Sequence, residues 1–217
     1  VPTGNFGNVF AGYVALQMGL PIERLIIASN KNDILPRFFS AGAMERETVI
    51  PSLSPSMDIQ VSSNFERLLF EVLDRDSRRT ANLMDVFSSS GKFQIDQKTM
   101  SRFKKTFAAF RVDDEDTQIE IAKTLSNDGV LIDPHTAIGL CAARRACDEN
   151  LVASDVPIIS LACAHPAKFE ETVNAVTGIR PSLPSHLADL MSRQETKLYA
   201  NSNEQSVKQL ILSKRRN

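Results

Sequence analysis

The chain has 217 residues, of which 42% are hydrophobic and 24% are charged, and its formal net charge is −1. This composition is typical of a globular protein, and the balanced charge argues against a nucleic-acid partner. No apolar run approaches the roughly 18 residues of a membrane span, so we expect no membrane association. The 3 cysteines and 3 histidines are scattered, without the close spacing of metal ligands or of a disulfide framework. We therefore expect a cytoplasmic protein without a metal site.

The amino-terminal part of the chain predicts a helix, a strand, a second helix and a long loop. Residues 8–18 (NVFAGYVALQM) are apolar on nearly every side, which is typical of a buried helix. The apolar run at 25–28 predicts a buried parallel strand, and Asn32 or Asp33 is a favourable cap for the helix that follows. Residues 40–62 are rich in serine, proline and small residues and predict a long loop, which in a compact domain is often functional.

The remainder of the chain predicts further helices and two more strands. Three consecutive helical patterns predict a helical segment, at residues 64–74, 78–91 and 96–110. Helices then alternate with short apolar runs that predict buried strands. These helices lie at 113–129, 134–146 and 165–176, and the strands at 130–133 and 156–164.

The alternation of strands and helices predicts an α/β fold, with a parallel sheet flanked by helices and with a helical insertion. We divide the chain into βα units that carry a glycine-rich turn (1–62), the helical insertion (63–112), and carboxyl-terminal βα units of the same domain (113–217). Ligands of such sheets bind beyond the carboxyl ends of the strands. We therefore expect polar groups that follow the strands, including residues 133–136 and 163–165, near a ligand.

The stretch TGNFGN, residues 3–8, lies where a turn leads into the first predicted helix. Glycine allows the backbone to approach a ligand closely, and successive amides at a helix amino terminus form an anion site. The stretch has no lysine and does not follow the usual patterns of nucleotide-binding loops. Its spacing alone leaves two interpretations, a phosphate held by backbone amides or a plain structural turn.

Several segments occur in an order that resembles one known family. They are PTGNFGN followed by AGYVALQMGLPI, then ASNKND, SPSMDIQVSSNFERLLF, DPHTAIG and ACAHPAKF. Together they resemble the threonine synthase family, in the longer form found in bacteria and fungi. The resemblance implies a fold-type II enzyme, similar in fold to the tryptophan synthase β subunit, with pyridoxal 5′-phosphate as cofactor. It also implies the conversion of O-phosphohomoserine and water into threonine and phosphate.

The resemblance further implies which residues hold the cofactor. Five backbone amides would surround its phosphate: those of Gly4, Asn5, Phe6, Gly7 and Asn8. The residue at Cys163 would face the pyridine nitrogen, although the family generally has threonine there. A thiol is a weaker hydrogen-bond donor than a hydroxyl. The alternative for Cys163 is a small cysteine that merely packs.

The phosphate of the substrate is expected, by the same resemblance, to contact the segment SSNFER. Ser62, Ser63 and Asn64 would supply hydroxyl or amide groups, and the guanidinium of Arg67 is shaped for a bidentate phosphate contact. Two alternatives remain at this point, because Asn64 is also an ordinary helix cap and Arg67 could simply be solvated. Asp133 is likewise either a neighbour of the cofactor or only a helix cap.

The family binds its cofactor through a lysine that forms a Schiff base, in a motif resembling SFKD that precedes the glycine turn. The sequence contains no such motif, and Lys168, in HPAKF, is interpreted as solvated or phosphate-steering. We therefore expect the Schiff-base lysine upstream of residue 1, in a missing N-terminal portion of the same protein, and an inactive chain in isolation. The alternatives are a phospho-lyase of the same fold that releases 2-oxobutyrate, and an inert truncated fragment.

Overall fold

The computed structural model describes residues 1–215, which separate into a unit of residues 1–181 and a second unit that begins at Ser182. In chain order, the first unit contains α1 (Gly7–Gln17), β1 (Leu25–Ser29), α2 (Ile34–Ala41), β2 (Ala43–Glu45), α3 (Phe65–Val72), α4 (Ser77–Ser90), β3 (Lys92–Gln94), α5 (Gln97–Thr106), β4 (Phe107–Arg111), α6 (Asp114–Asp128), α7 (Pro134–Asp148) and α8 (Glu170–Thr177). The second unit contains α9 (Glu204–Ser213). Within residues 1–215, no helix is both long and apolar enough to cross a membrane.

A parallel pair of strands, β1 and β4, lies at the centre of the first unit. The pair runs in register from Leu25 opposite Phe107 to Ser29 opposite Arg111. On the other edge of β1, the Thr3 amide donates to the Ala28 carbonyl at 2.9 Å. Helices α2 and α7 pack against these strands, so the predicted α/β fold with helices flanking a parallel sheet is confirmed. The glycine-rich turn thus begins directly beside the carboxyl end of β1.

A cluster of phenylalanine rings connects α2, α3 and α5 beneath that turn. Phe38 of α2 is fully buried, and its ring lies within 4.8–6.1 Å of four others, those of Phe39, Phe65, Phe93 and Phe103. Phe6 of the turn is also fully buried, with its ring 5.3 Å from Phe65 in an edge-to-face contact. Such pairs contribute beyond their buried area. Packing of Phe6 into the core therefore anchors the turn.

The predicted helix over 96–110 is wrong at its carboxyl end. Helix α5 ends at Thr106, and Phe107–Arg111 forms β4 instead. The apolar run FAAFR fits a helical pattern, but β1 offers it a line of backbone hydrogen-bonding partners, and local periodicity contains no information about that neighbour. The segment 63–112 thus contains β3 and β4 as well as helices, and its description as an insertion stays a prediction.

The strands predicted at 130–133 and 156–164 are also wrong. Both segments are irregular connections within the described residues, the first between α6 and α7 and the second before α8. A strand must pair its backbone groups with a neighbour, and among residues 1–215 no strand pairs with either segment. The predicted loop at 40–62 contains the short strand β2 and a 3-10 turn, Pro55–Met57. Strand β2 pairs with β3 in antiparallel register.

The start of α5 makes one pH-dependent contribution to stability. The carboxylate of Asp96 accepts hydrogen bonds from the Thr99 amide and hydroxyl and from Arg79. These bonds, those from Thr99 above all, lower the pKa of Asp96 to about 2. A depressed pKa stabilises the folded state above the unfolded pKa, about 4 for aspartate, and this contribution disappears as the pH falls toward 2.

We therefore expect Asp96→Asn to flatten the loss of stability between about pH 4 and pH 2. Asparagine remains a good cap, so helix α5 is retained while the titration is removed. Urea unfolding at several pH values in this window measures the slope. The matched control is Asp85→Asn, on the exposed face of α4; equal slopes for the wild type and Asp96→Asn would contradict the expectation.

Candidate functional site

A cavity of about 230 Å³ opens at the carboxyl end of β1. Its walls come from four separate parts of the chain: the glycine-rich turn (residues 2–8), the 3-10 turn at Ser56 and Met57, His135 at the start of α7, and Cys163. These segments lie far apart in the sequence and meet here because each follows β1 or borders the start of α1 or α7. The position agrees with the rule that ligands of such sheets bind beyond the strand ends.

The glycine-rich turn presents free backbone amides to this cavity. Phe6 has φ 65°, in the left-handed region, and directly precedes the first residue of α1. Its own amide donates to the Thr3 hydroxyl at 3.0 Å. Among the described residues, no acceptor pairs with the amides of the four other predicted residues, Gly4, Asn5, Gly7 and Asn8. Unpaired amides at the positive end of a helix form a site for an anion.

The close approach of a neighbouring loop explains the glycine at position 4. A Cβ atom placed on Gly4 would lie 3.1 Å from the Met57 Cα and 3.1 Å from the Ile59 side chain. By contrast, a Cβ on Gly7 would meet only the Asn64 amide nitrogen, at 3.5 Å. The loop therefore covers the turn so closely at Gly4 that any side chain at this position would displace the backbone of the loop.

A buried polar network holds that loop at the end of β1. Asn30 is 1% exposed, and its side-chain amide donates to Asp58 at 2.8 Å and to the Ser54 hydroxyl at 3.0 Å. Asp58 also accepts from Asn32 at 2.9 Å and from the Ser52 amide at 2.9 Å. The serine- and proline-rich loop is thus held by hydrogen bonds to Asn30 and Asn32, which follow β1; its functional role stays a prediction.

The predicted contacts of the substrate phosphate lie against the same turn. The Ser62 hydroxyl donates to the Gly4 carbonyl at 2.7 Å, and the Asn64 amide donates to the Asn5 carbonyl at 3.1 Å. The Ser63 hydroxyl donates to the Asn5 side chain at 3.2 Å. Arg67 lies on the exposed side of α3, less than one helical turn beyond Asn64. Binding of phosphate by these residues stays a prediction.

Asp133 serves as the helix cap that the sequence suggests and also contacts the side chains beside the cavity. Its carboxylate accepts from the His135 amide at 2.9 Å and from His135 Nδ1 at 3.0 Å. It also accepts from the Thr136 hydroxyl. Burial alone would raise the pKa of the Asp133 carboxyl, but the hydrogen bonds from His135 and Thr136 outweigh it and hold that pKa below its usual value.

Cys163 lines the cavity through a contact with the start of α7. Its backbone amide donates to the Thr136 hydroxyl at 3.1 Å, and its sulfur lies 3.7 Å from the Leu161 carbonyl. Partial burial of the thiol, followed by the negative charge of Asp133, raises its pKa. The thiol therefore keeps its proton at neutral pH and remains a hydrogen-bond donor. That it faces a pyridine nitrogen stays a prediction.

Sequence reasoning assigned no site role to four of the residues that line the cavity: Pro2, Thr3, Ser56 and Met57. Ser56 and Met57 lie in the segment SPSMDI, where the proline at the start of a 3-10 turn was a usable signal. Two lysines of the chain have side-chain neighbours of their own. Lys31 pairs with Asp114 at 2.7 Å, and the Lys168 amine lies 5.6 Å from the centre of the Phe169 ring.

Comparisons with known proteins show which family this chain resembles. The family model described as "Threonine synthase, C-terminal" matches residues 136–211. The chain is 50% identical to the threonine synthase of Pseudomonas aeruginosa, over 90% of its own length and 41% of that protein. It is 40% identical to the threonine synthase of Saccharomyces cerevisiae, over 97% of its own length and 45% of that protein. The chain thus spans less than half the length of these curated relatives.

A solved structure shares both fold and sequence with the chain. It is the crystal structure of PLP-bound threonine synthase from Brucella melitensis, which superposes with a TM-score of 0.85 at 50% identity. The match covers 90% of this chain and 41% of that one. Because the family model, the sequence relatives and the solved structure all agree, the chain belongs to the threonine synthase family and contains that family's C-terminal region.

Proposed function

We propose that this chain is the C-terminal part of a pyridoxal 5′-phosphate-dependent threonine synthase. The complete enzyme would be a carbon–oxygen lyase acting on phosphates, converting O-phosphohomoserine and water into threonine and phosphate. One observation carries the proposal: the four free amides of the glycine-rich turn border the cavity at the carboxyl end of β1. The superposition on a PLP-bound relative supports the choice of cofactor.

The residues at this cavity fit a phosphate group. Gly4, Asn5, Gly7 and Asn8 offer unpaired N–H groups at the start of α1, and the helix dipole adds positive potential there. Phe6 turns the chain through its left-handed backbone and anchors the turn in the core. Residues 1–8 contain no lysine or arginine, so the phosphate would be held by amides alone. When bound, the cofactor would stabilise negative charge on the reacting carbons of the substrate.

Two further assignments belong to the proposal. The protonated thiol of Cys163 donates a weak hydrogen bond to the pyridine nitrogen, which the pKa shift of this thiol supports. Ser62, Asn64 and Arg67 bind the phosphate of the substrate. The position of Ser62 and Asn64 beside the glycine-rich turn supports a second phosphate position next to the first, and Arg67 would supply the opposite charge.

We assign the lysine that binds the cofactor covalently to the part of the family that this chain does not span. Its relatives are more than twice as long as the matched region, and Lys31 and Lys168 already have other partners. On this proposal the chain is inactive by itself and works with an N-terminal portion of the same protein. We also propose a cytoplasmic location, which its three unpaired cysteines support.

Mass spectrometry and a product assay test this proposal together. The chain is incubated with pyridoxal 5′-phosphate and reduced with borohydride, and its intact mass is measured. We expect no specific pyridoxyl adduct, and no turnover of O-phosphohomoserine in the product assay. When the chain is joined to the amino-terminal region of the Pseudomonas aeruginosa relative, we expect a pyridoxyl adduct and turnover of O-phosphohomoserine. Release of threonine and phosphate supports a synthase, whereas 2-oxobutyrate identifies the phospho-lyase. A single stable adduct on Lys168 of the isolated chain would overturn the lysine assignment.

A further inference from the structure

We propose that Asp133 is a positioning residue that holds two walls of the cavity, the Ser56 loop and Cys163, at a set separation. The inference rests on the proposed function, because these walls are taken to enclose the cofactor. Asp133 itself is fully buried and is not among the residues that line the cavity. It therefore acts through its two neighbours on α7, His135 and Thr136.

The first connection runs through His135 to the Ser56 loop. Asp133 accepts from His135 Nδ1 at 3.0 Å, and the Ser56 amide lies 3.2 Å from His135 Nε2. A backbone amide can only donate, so Nε2 must be unprotonated and Nδ1 must carry the proton. The ionised carboxylate thus selects the tautomer that can accept from Ser56. His135 is 4% exposed, and its ring packs 4.7 Å from that of Phe169, so its orientation is restrained as well.

The second connection runs through Thr136 to Cys163. The Thr136 hydroxyl donates to the second carboxylate oxygen of Asp133 and accepts from the Cys163 amide at 3.1 Å. Because the hydroxyl has one proton, its bond to Asp133 leaves its lone pairs directed toward Cys163. The segment 156–164 has no strand partner among residues 1–215. This single bond is therefore an important restraint on where Cys163 lies.

Capping of α7 does not require these connections. As the cap, Asp133 accepts from the backbone amides of His135 and Thr136, and asparagine caps a helix about as well as aspartate. The bonds to His135 Nδ1 and to the Thr136 hydroxyl are additional, and they require two acceptor oxygens on one side chain. Asp133→Asn supplies only one acceptor oxygen, since its other terminal atom is a donor. This substitution therefore separates capping from positioning.

Amide hydrogen exchange in the ¹⁵N-labelled chain tests the two connections one at a time. We expect Thr136→Val to raise the exchange rate of the Cys163 amide about tenfold and to leave Ser56 within about twofold of the wild type. His135→Phe keeps a ring against Phe169. We expect it to raise the exchange rate of the Ser56 amide and to leave that of the Cys163 amide unchanged. Because asparagine can serve only one of the two connections, Asp133→Asn is expected to raise exchange at Ser56, at Cys163 or at both while the amides of α7 stay protected.

Three controls make the result specific. Thr136→Ser keeps the hydroxyl and is expected to restore slow exchange at Cys163. Thr117→Val removes another buried threonine hydroxyl, which donates to the Asp113 carbonyl at the start of α6, and should leave exchange at Ser56 and Cys163 unchanged. The ¹⁵N shifts of His135 in the wild type should show the proton on Nδ1. If Asp133→Asn does not fold, the Thr136 and His135 variants decide the question by themselves.

Titration of the same variants with pyridoxal 5′-phosphate, followed by ³¹P NMR, connects the walls to the ligand. We expect Asp133→Asn to weaken binding about tenfold or more and Thr136→Ser to bind as the wild type does. Unchanged exchange at both Ser56 and Cys163 in Asp133→Asn would overturn the inference, as would a proton on His135 Nε2. Failure of the wild type to bind the cofactor when joined to the amino-terminal region of the Pseudomonas aeruginosa relative would instead count against the proposed function, since the exchange pattern does not depend on it.

Discussion

Replacing Phe38 with alanine is expected to lower the free energy of unfolding of the chain by about 3–5 kcal/mol. Phe38 is fully buried and lies at the centre of the phenylalanine cluster that joins α2, α3 and α5. Truncation removes its apolar contacts and leaves a cavity among rigid aromatic rings, which cannot collapse easily to fill it. Urea unfolding followed by circular dichroism measures the change, with the denaturant midpoint and slope read separately.

Two companion variants make the Phe38 prediction decisive. Phe38→Leu retains most of the volume and is expected to cost about 1.5 kcal/mol, so it reports on the site even where alanine prevents folding. Tyr199→Ala removes an aromatic ring that is 87% exposed in the second unit and should leave stability within about 0.5 kcal/mol. A cost for Phe38→Ala no larger than that of Tyr199→Ala would mean that the cluster is not the core of this unit.

The glycine-rich turn should tolerate a methyl group at one of its glycines and reject it at the other. A Cβ at Gly4 would meet the Met57 backbone at 3.1 Å, so the loop above the turn must move away. Relieving overpacking of this kind costs roughly 1–3 kcal/mol. We expect Gly4→Ala to weaken binding of pyridoxal 5′-phosphate about tenfold and Gly4→Val about a hundredfold. The loss of affinity arises because the turn and the loop are pushed apart, so the free amides of the turn no longer point at one phosphate position.

Gly7→Ala is the matched control for Gly4. Its added carbon would meet only the Asn64 side chain, at the ordinary contact distance of 3.5 Å, so affinity should change by less than about threefold. Isothermal titration calorimetry with the isolated chain measures all three variants. Equal losses at both positions would indicate that any side chain in the turn blocks the ligand, and the account based on the loop at Met57 would then be wrong.

Capping and the local hydrophobic pattern predict much of the secondary structure of this chain. The helices at Gly7–Gln17, Ser77–Ser90 and Asp114–Asp128 begin and end within one residue of the predicted bounds, and the strand Leu25–Ser29 was also predicted. A helix satisfies its backbone hydrogen bonds within its own segment, so the local sequence contains the signals for its ends and its periodicity. The resemblance carried by TGNFGN, SPSMDI and DPHTAIG likewise depends on short segments.

The pairing of segments, in contrast, was decided by the tertiary structure. FAAFR became β4 because β1 lies beside it, while 130–133 and 156–164 stayed irregular because no described strand pairs with them.

The contacts around the cavity also depend on the tertiary structure. The sequence indicated, through its family resemblance, which residues could hold a phosphate, and it left open whether Asp133 was a cap or a neighbour of the ligand. The fold decided that Asp133 is a cap and also contacts His135 and Thr136, whose partners Ser56 and Cys163 are distant in sequence. Contacts between distant segments depend on how the whole chain packs, and a local pattern does not encode them.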